Sequence, residues 1–239
     1  MGNLLSAAAP VRQQVATTVV YVEEDFTATT TGDLSDNNLA VDELGGGWRG
    51  HTSYLTYNAS GEGVEATTGT NNRRVLIETS GREDVQVTMT ATIKRGGSNT
   101  NWQGVGMRAP KSDSSTPNVL CAWFSGSATD PELLLREGRD NGDPLLKTWD
   151  LSVLLATQPQ DGDTITLVMR CSGNDITFYS MQVNGGSVET VDDTYTLTGA
   201  AATAHGAGSG ADCYGLLTDE RVASSSERFE YFKVESIPA

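Results

Sequence analysis

Histidine is almost missing from this sequence. His51 and His205 are the only two, and they lie far apart in the chain. They have no metal-ligand spacing, so the local pattern holds no histidine-built metal centre, and both read as surface or loop residues. Cysteine is scarce too: Cys121, Cys171 and Cys213 make an odd count with no CxxC pair. That is no disulfide framework. Each sits in an apolar, strand-like setting (VLCAWF, VMRCSG, ADCYGL), so the three read as buried free thiols suited to a reducing cytoplasm. Basic residues are outnumbered: 16 Lys and Arg face 31 Asp and Glu, for a formal net charge of −15. This balance argues against nucleic acid and against an anionic membrane surface. It fits a protein kept apart by self-repulsion, or one docking on a basic partner. No apolar run approaches the roughly 20 residues that cross a bilayer. Met1 to Ala9 carries no Lys or Arg, so no secretory signal is expected.

Catalytic signatures are also lacking. There is no GxSxG for a nucleophile elbow, no GxxxxGK, and no GxGxxG following a strand. The expectation is therefore a non-enzymatic protein.

What the chain does have is period two. From Asp84 to Lys94, Val85, Val87, Met89, Ala91 and Ile93 alternate with Gln86, Thr88, Thr90, Thr92 and Lys94. Such alternation makes a strand with one face on a core and the other in water. Further strands are expected around 54–57, 64–66, 75–77, 104–108, 119–124, 133–136, 145–149, 164–171, 176–183, 195–197, 214–217 and 229–234. Turn signals separate them: Asn141-Gly142, Asp161-Gly162, Ser172-Gly173-Asn174 and Asn184-Gly185-Gly186. Many short strands between turns predict an all-β sandwich or barrel. The small-residue stretch 199–211, GAAATAHGAGSGA, reads as a flexible loop.

Residues 1–22 differ from the rest: small, apolar, and uncharged except for Arg12. They predict an N-terminal arm ahead of a single domain at 23–239. Pro10 breaks any early helix, and Val15 to Val22 reads as a strand. Leu4, Leu5, Val11, Val15, Val19 and Val20 are the apolar residues by which the arm would pack, on its own domain or on a neighbouring chain.

The order of these pieces resembles the concanavalin A-like lectin/glucanase superfamily, especially its laminin-G-like and family-16-hydrolase-like modules. Asp25-Phe26 resembles the opening "DDF". Gly104-Val105-Gly106-Met107-Arg108 resembles "GVGFR", and Thr164 to Val183 with Asn184-Gly185 resembles a paired-strand "LRLRVEGNTIRFYVNG". Tyr214-Gly215-Leu216-Leu217 with Phe229 to Val234 resembles the closing "GLRT…FDNFRV". The resemblance covers roughly 24–237 and implies a concanavalin A-like jelly-roll sandwich of two antiparallel sheets. Members bind sugars on a concave sheet, hydrolyse glucans, or serve as structural modules. The glucanases carry Glu, Asp and Glu at alternating strand positions. Glu23, Glu24 and Asp25 are consecutive instead, so the hydrolase does not follow.

Two functions lead, and a glycoside hydrolase stands behind them. The first is a structural protein of a virus particle: a bacteriophage capsid decoration protein, or a tail fibre or spike component. It would be made in the host cytoplasm, be homo-oligomeric, and dock through its arm on a capsid or tail subunit. The alternative is a carbohydrate-binding module, which would meet a host-surface glycan. Trp48, Tyr54, Tyr57, Trp102, Trp123, Trp149 and Tyr179 are the rings that could stack on sugar. Trp102, in the polar stretch SNTNWQG, leads, with Trp48 and Tyr54 behind it; Trp123 reads as core. No cofactor is expected. Calcium is the one alternative, at Asp140 and Asp143 or Asp161 and Asp163, although the acidic turns read first as Asx geometry.

Overall fold

The computed structural model describes residues 17–27, 34, 41–45, 47–50, 52, 55–57, 63–66, 70–93, 101–110, 119–124, 131–138, 144–220 and 228–238. They form two antiparallel sheets packed face to face, an all-β sandwich as expected. In the nine-stranded sheet the order is β14 (Glu189–Thr196), β13 (Asp175–Val183), β12 (Thr164–Ser172), β7 (Val85–Thr92), β16 (Arg228–Ser236), β1 (Val20–Glu24), β2 (Val41–Asp42). Off this path, β5 (Val64–Ala66) pairs with β16 and with β4 (Leu55–Tyr57). The seven-stranded sheet runs β11 (Leu145–Asp150), β10 (Glu132–Glu137), β9 (Leu120–Phe124), β8 (Asn101–Ala109), β15 (Cys213–Glu220), β6 (Thr70–Glu78), β3 (Arg49–Gly50).

The core follows from alternation. Val85, Val87, Met89 and Ala91 of β7 point inward beside Ile165, Leu167, Met169 and Cys171 of β12. Opposite them lie Val105 and Met107 of β8 and Leu120, Ala122 and Phe124 of β9. The seven-stranded sheet differs on its outward side. There Val119, Cys121 and Trp123 join Leu76, Ala109, Cys213 and Leu217 in a second apolar cluster, all closed to solvent. Trp123 is therefore buried, as expected, but on the outer side of its sheet.

Several expectations shift. The boundary at residue 22 falls inside β1, where Val22 pairs with Val234 and Asp42. Val20 is thus the start of the sandwich, paired with Glu235, and Val19 lies just before it, half exposed. Leu4, Leu5, Val11 and Val15 lie outside the described residues. Stretch 199–211 begins with a short helix, α2 (Gly199–His205), rather than a loop; its run of alanines has the strongest helix propensity of any residue type. A single turn, α1 (Leu151–Leu154), is capped by Asp150, whose carboxylate accepts from the Ser152 amide. Strand β14 begins at Glu189, six residues before the expected Tyr195. It is an edge strand with every other residue exposed, and edge strands tolerate such charge.

Candidate functional site

The two outward faces differ in kind. That of the seven-stranded sheet is apolar and closed. That of the nine-stranded sheet is polar and half open, and it is the candidate ligand face. Strand register lays out its rows. Glu235, Gln86, Arg170, Thr177 and Thr194 line up across β16, β7, β12, β13 and β14. Lys233, Thr88, Val168, Ser180 and Thr190 form the next row.

Side chains in these rows are tied together. Lys233 Nζ lies 2.7 Å from Glu235 Oε2, and Gln86 Nε2 donates to Glu235 Oε1 at 2.9 Å. Arg170 Nε donates to Gln86 Oε1 at 2.9 Å. Threonine pairs flank the line: Thr90 with Thr166 at 2.9 Å, Thr92 with Thr164 at 3.1 Å, Thr177 with Thr194 at 2.8 Å. Cross-strand pairs of this kind stiffen a sheet surface.

A β-bulge supplies the aromatic. Val168 pairs with Ser180 but Met169 with Phe178, so Tyr179 is the extra residue. Phe178 and Met181 point into the core, which leaves Tyr179 and Ser180 both outward. Bulges re-aim side chains in this way. Here the bulge sets the Tyr179 ring under the Arg170 guanidinium, whose Cζ lies 3.2 Å from the ring centroid. The result is a cation–aromatic stack at the end of a hydrogen-bonded polar row.

The aromatic residues expected to meet sugar divide differently. Trp48 is only 5 % exposed; it stacks on Phe26 and packs on Phe232 inside the sandwich, so its ring is not offered to a ligand. Tyr57 and Trp149 are core residues as well. Trp102 lies in β8, paired with Asp219, and its side chain is outside what is described; Tyr54 is outside altogether. Of these expected rings, Tyr179 is the one that the described residues place on the open face; Tyr231, paired with Thr90, lies on that face too, its hydroxyl donating to Glu23 Oε1 at 2.6 Å. Arg170 went unnoticed in the sequence, although its outward register in TITLVMRCS was readable.

Of the calcium candidates, Asp163 spends its carboxylate on the turn, accepting from the Gln160 amide at 2.6 Å and from Asn184 Nδ2 at 2.7 Å. Asp161 is exposed beside it; Asp140 and Asp143 lie outside the described residues. Among the described residues no three His, Cys, Asp or Glu side chains group as metal ligands.

Three buried polar groups bear on stability rather than on this face. Arg108, next to last in β8, is fully buried at φ 49°, a strained backbone for a non-glycine residue. Its Nη1 donates to the carbonyls of Gly173 (2.6 Å) and His205 (3.0 Å), and its Nη2 to that of Glu83 (2.8 Å). His205 is not a surface residue: it is fully buried, with Nδ1 2.8 Å from the Arg108 carbonyl. Burial holds its pKa below the usual value, partly offset by the Arg108 carbonyl and by Glu137, whose Oε1 is 3.8 Å from Nε2. Glu24 points into the core beside Trp48 and Tyr57. Burial raises its pKa, against the Phe26 amide, which donates to it at 2.8 Å.

Among the described residues no helix is long and apolar enough to cross a membrane. No protein-family model matches the sequence, and no curated protein matches it. Solved structures do resemble the fold. The GH43 BlXynB protein from Bacillus licheniformis aligns over 98 % of this chain and 41 % of its own, at 12 % identity and TM-score 0.56. Xylan beta-1,4-xylosidase from Bacillus halodurans C-125 aligns over 97 % and 41 %, at 11 % identity and TM-score 0.54. The chain thus spans about two-fifths of the length of these two proteins. The carbohydrate esterase vb_24B_21 from Shiga toxin-encoding bacteriophage phi24B aligns nearly whole, 92 % of this chain and 99 % of its own, at 14 % identity and TM-score 0.51. At these identities the likeness establishes a shared β-sandwich fold.

Proposed function

We propose that this chain is a non-catalytic carbohydrate-binding module, and that it binds through the outward face of the nine-stranded sheet. The observation that carries the reading is the Arg170–Tyr179 stack joined to Gln86, Glu235 and Lys233. An aromatic ring with donors and acceptors fixed beside it suits a sugar, which has apolar ring faces and hydroxyl edges. The similar structures, a xylosidase and a carbohydrate esterase, lend the class support. A glycan array with the full chain and Tyr179→Ala tests it. Binding to at least one glycan family, lost in the variant, is expected. No glycan above background would overturn it, and turnover of a bound glycan would overturn the non-catalytic part.

The particle reading keeps one specific support: the phage protein shares the fold over 99 % of its length. Under it, the chain is a virion component whose first residues hold it to a capsid or tail subunit. Because β1 begins at Val20, the informative truncation removes residues 1–16 and leaves the sandwich whole. Loss of particle incorporation by a folded, truncated chain is expected; full occupancy would end this reading.

A further inference from the structure

We infer that the Arg170–Tyr179 stack is an anion subsite, so that the saccharide taken by this face carries a carboxylate. The inference rests on the carbohydrate reading and names its ligand class.

The other described cations on this face are neutralised. Lys233 sits on Glu235 at 2.7 Å and Arg228 on Glu230 at 2.9 Å. Elsewhere Arg49 faces Glu78, Arg82 faces Glu43 and Lys147 faces Asp193. Arg170 has no carboxylate within 4.0 Å among the described residues, in a chain whose net charge is −15. An unmatched guanidinium stands out where acid is in such excess.

Arg170 is also held in place. Gln86 fixes its Nε, and Gln86 is itself fixed by Glu235, which Lys233 anchors in turn. The Tyr179 ring backs the guanidinium, whose Cζ lies 3.2 Å from the ring centroid. Its only hydrogen bond among the described residues is the one from Nε to Gln86, so both terminal nitrogens remain to donate. They are not shut away from solvent: the residue is only partly buried, and neither nitrogen is among the buried unpartnered atoms. A planar fork with paired N–H donors matches a carboxylate through two parallel hydrogen bonds. Holding the fork in advance lowers the ordering cost of binding. A neutral sugar would use the ring and the hydroxyl partners yet leave this fork unanswered.

The test compares each acidic oligosaccharide with its own methyl ester, which keeps the ring and removes the charge. Oligogalacturonate, a glucuronic-acid-bearing xylan fragment and sialyllactose are titrated calorimetrically into the full chain. At least one acid should bind about tenfold or more tightly than its ester, the scale of a charge-assisted bidentate pair. Arg170→Gln should bring that acid down to the level of its ester. Arg170→Lys should fall between, because it keeps the charge and loses the fork. Added salt should weaken the acid far more than the ester. Equal binding of acid and ester overturns the anion subsite and leaves the carbohydrate reading standing. Binding of neither, in all three pairs, overturns the anion subsite, and the glycan array alone decides the carbohydrate reading.

Discussion

Replacing Arg108 with methionine removes three hydrogen bonds from a fully buried cation, to Gly173, His205 and Glu83 carbonyls in three separate segments. Bonds to charged groups contribute about 1.5–3 kcal/mol each. Desolvation of the guanidinium offsets part of that sum. The carbonyls left without a donor cost about 1–3 kcal/mol each where buried, and we expect Arg108→Met to lose about 3–5 kcal/mol in all. Against a total of about 5–15 kcal/mol for a domain, that is a large fraction. Arg108→Lys should rescue little, since one ammonium cannot replace a fork that reaches three carbonyls. Urea unfolding at neutral pH reads the loss as a lower midpoint with an unchanged slope. Hydrogen exchange should show faster opening of α2 and of the amides of Gly208 and Gly210, which Glu83 holds. A loss below about 1 kcal/mol, or an α2 that stays protected, would refute the reasoning.

His205 should make stability pH-dependent. Its folded pKa lies below the unfolded value, so its contribution is present above about pH 6.5 and is lost as pH falls toward the folded pKa. His205→Asn should flatten that part of a Tm-against-pH curve; an unchanged slope would exonerate His205. Glu24 has the opposite sign. Its folded pKa is raised, so its ionised form costs stability at neutral pH and the cost disappears below the unfolded pKa. Glu24→Gln should therefore raise Tm at pH 7 and leave it nearly unchanged at pH 3.5; a lower Tm at pH 7 would show that the ionised carboxylate is needed. All three thiols are buried, and burial pushes the Cys171 thiol up to about 11. Ellman's reagent should label none of them until denaturant is added, and rapid labelling of the native chain would contradict the packing.

Strand periodicity was legible because the core demands it. The alternation at 85–93 reappears residue for residue in β7 and in Ile93, and Val64–Ala66 came out with its bounds unchanged. Edge strand β14 and helix α2 were harder to read, since neither carries a run of large apolar side chains. The candidate face was hidden for a different reason. Tyr179 stands on the open surface through a bulge, and a bulge depends on pairing between strands rather than on local composition. Trp48 misled in the reverse direction: glycines precede it, so it reads as a loop ring, yet it packs on Phe26 and Phe232. Arg108 could be singled out only as the last residue of GVGMR, with nothing local to say that it reaches three other segments.

A ligand bound on the outward face of the nine-stranded sheet must perturb the amides of that face. The direct measurement is an amide NMR titration of the full chain with the tightest glycan from the array. Shifts should gather on Gln86, Thr88, Val168, Arg170, Thr177, Tyr179, Ser180 and Lys233, which are neighbours by strand register. Shifts that gather elsewhere, on the loops or on the seven-stranded sheet, would contradict it.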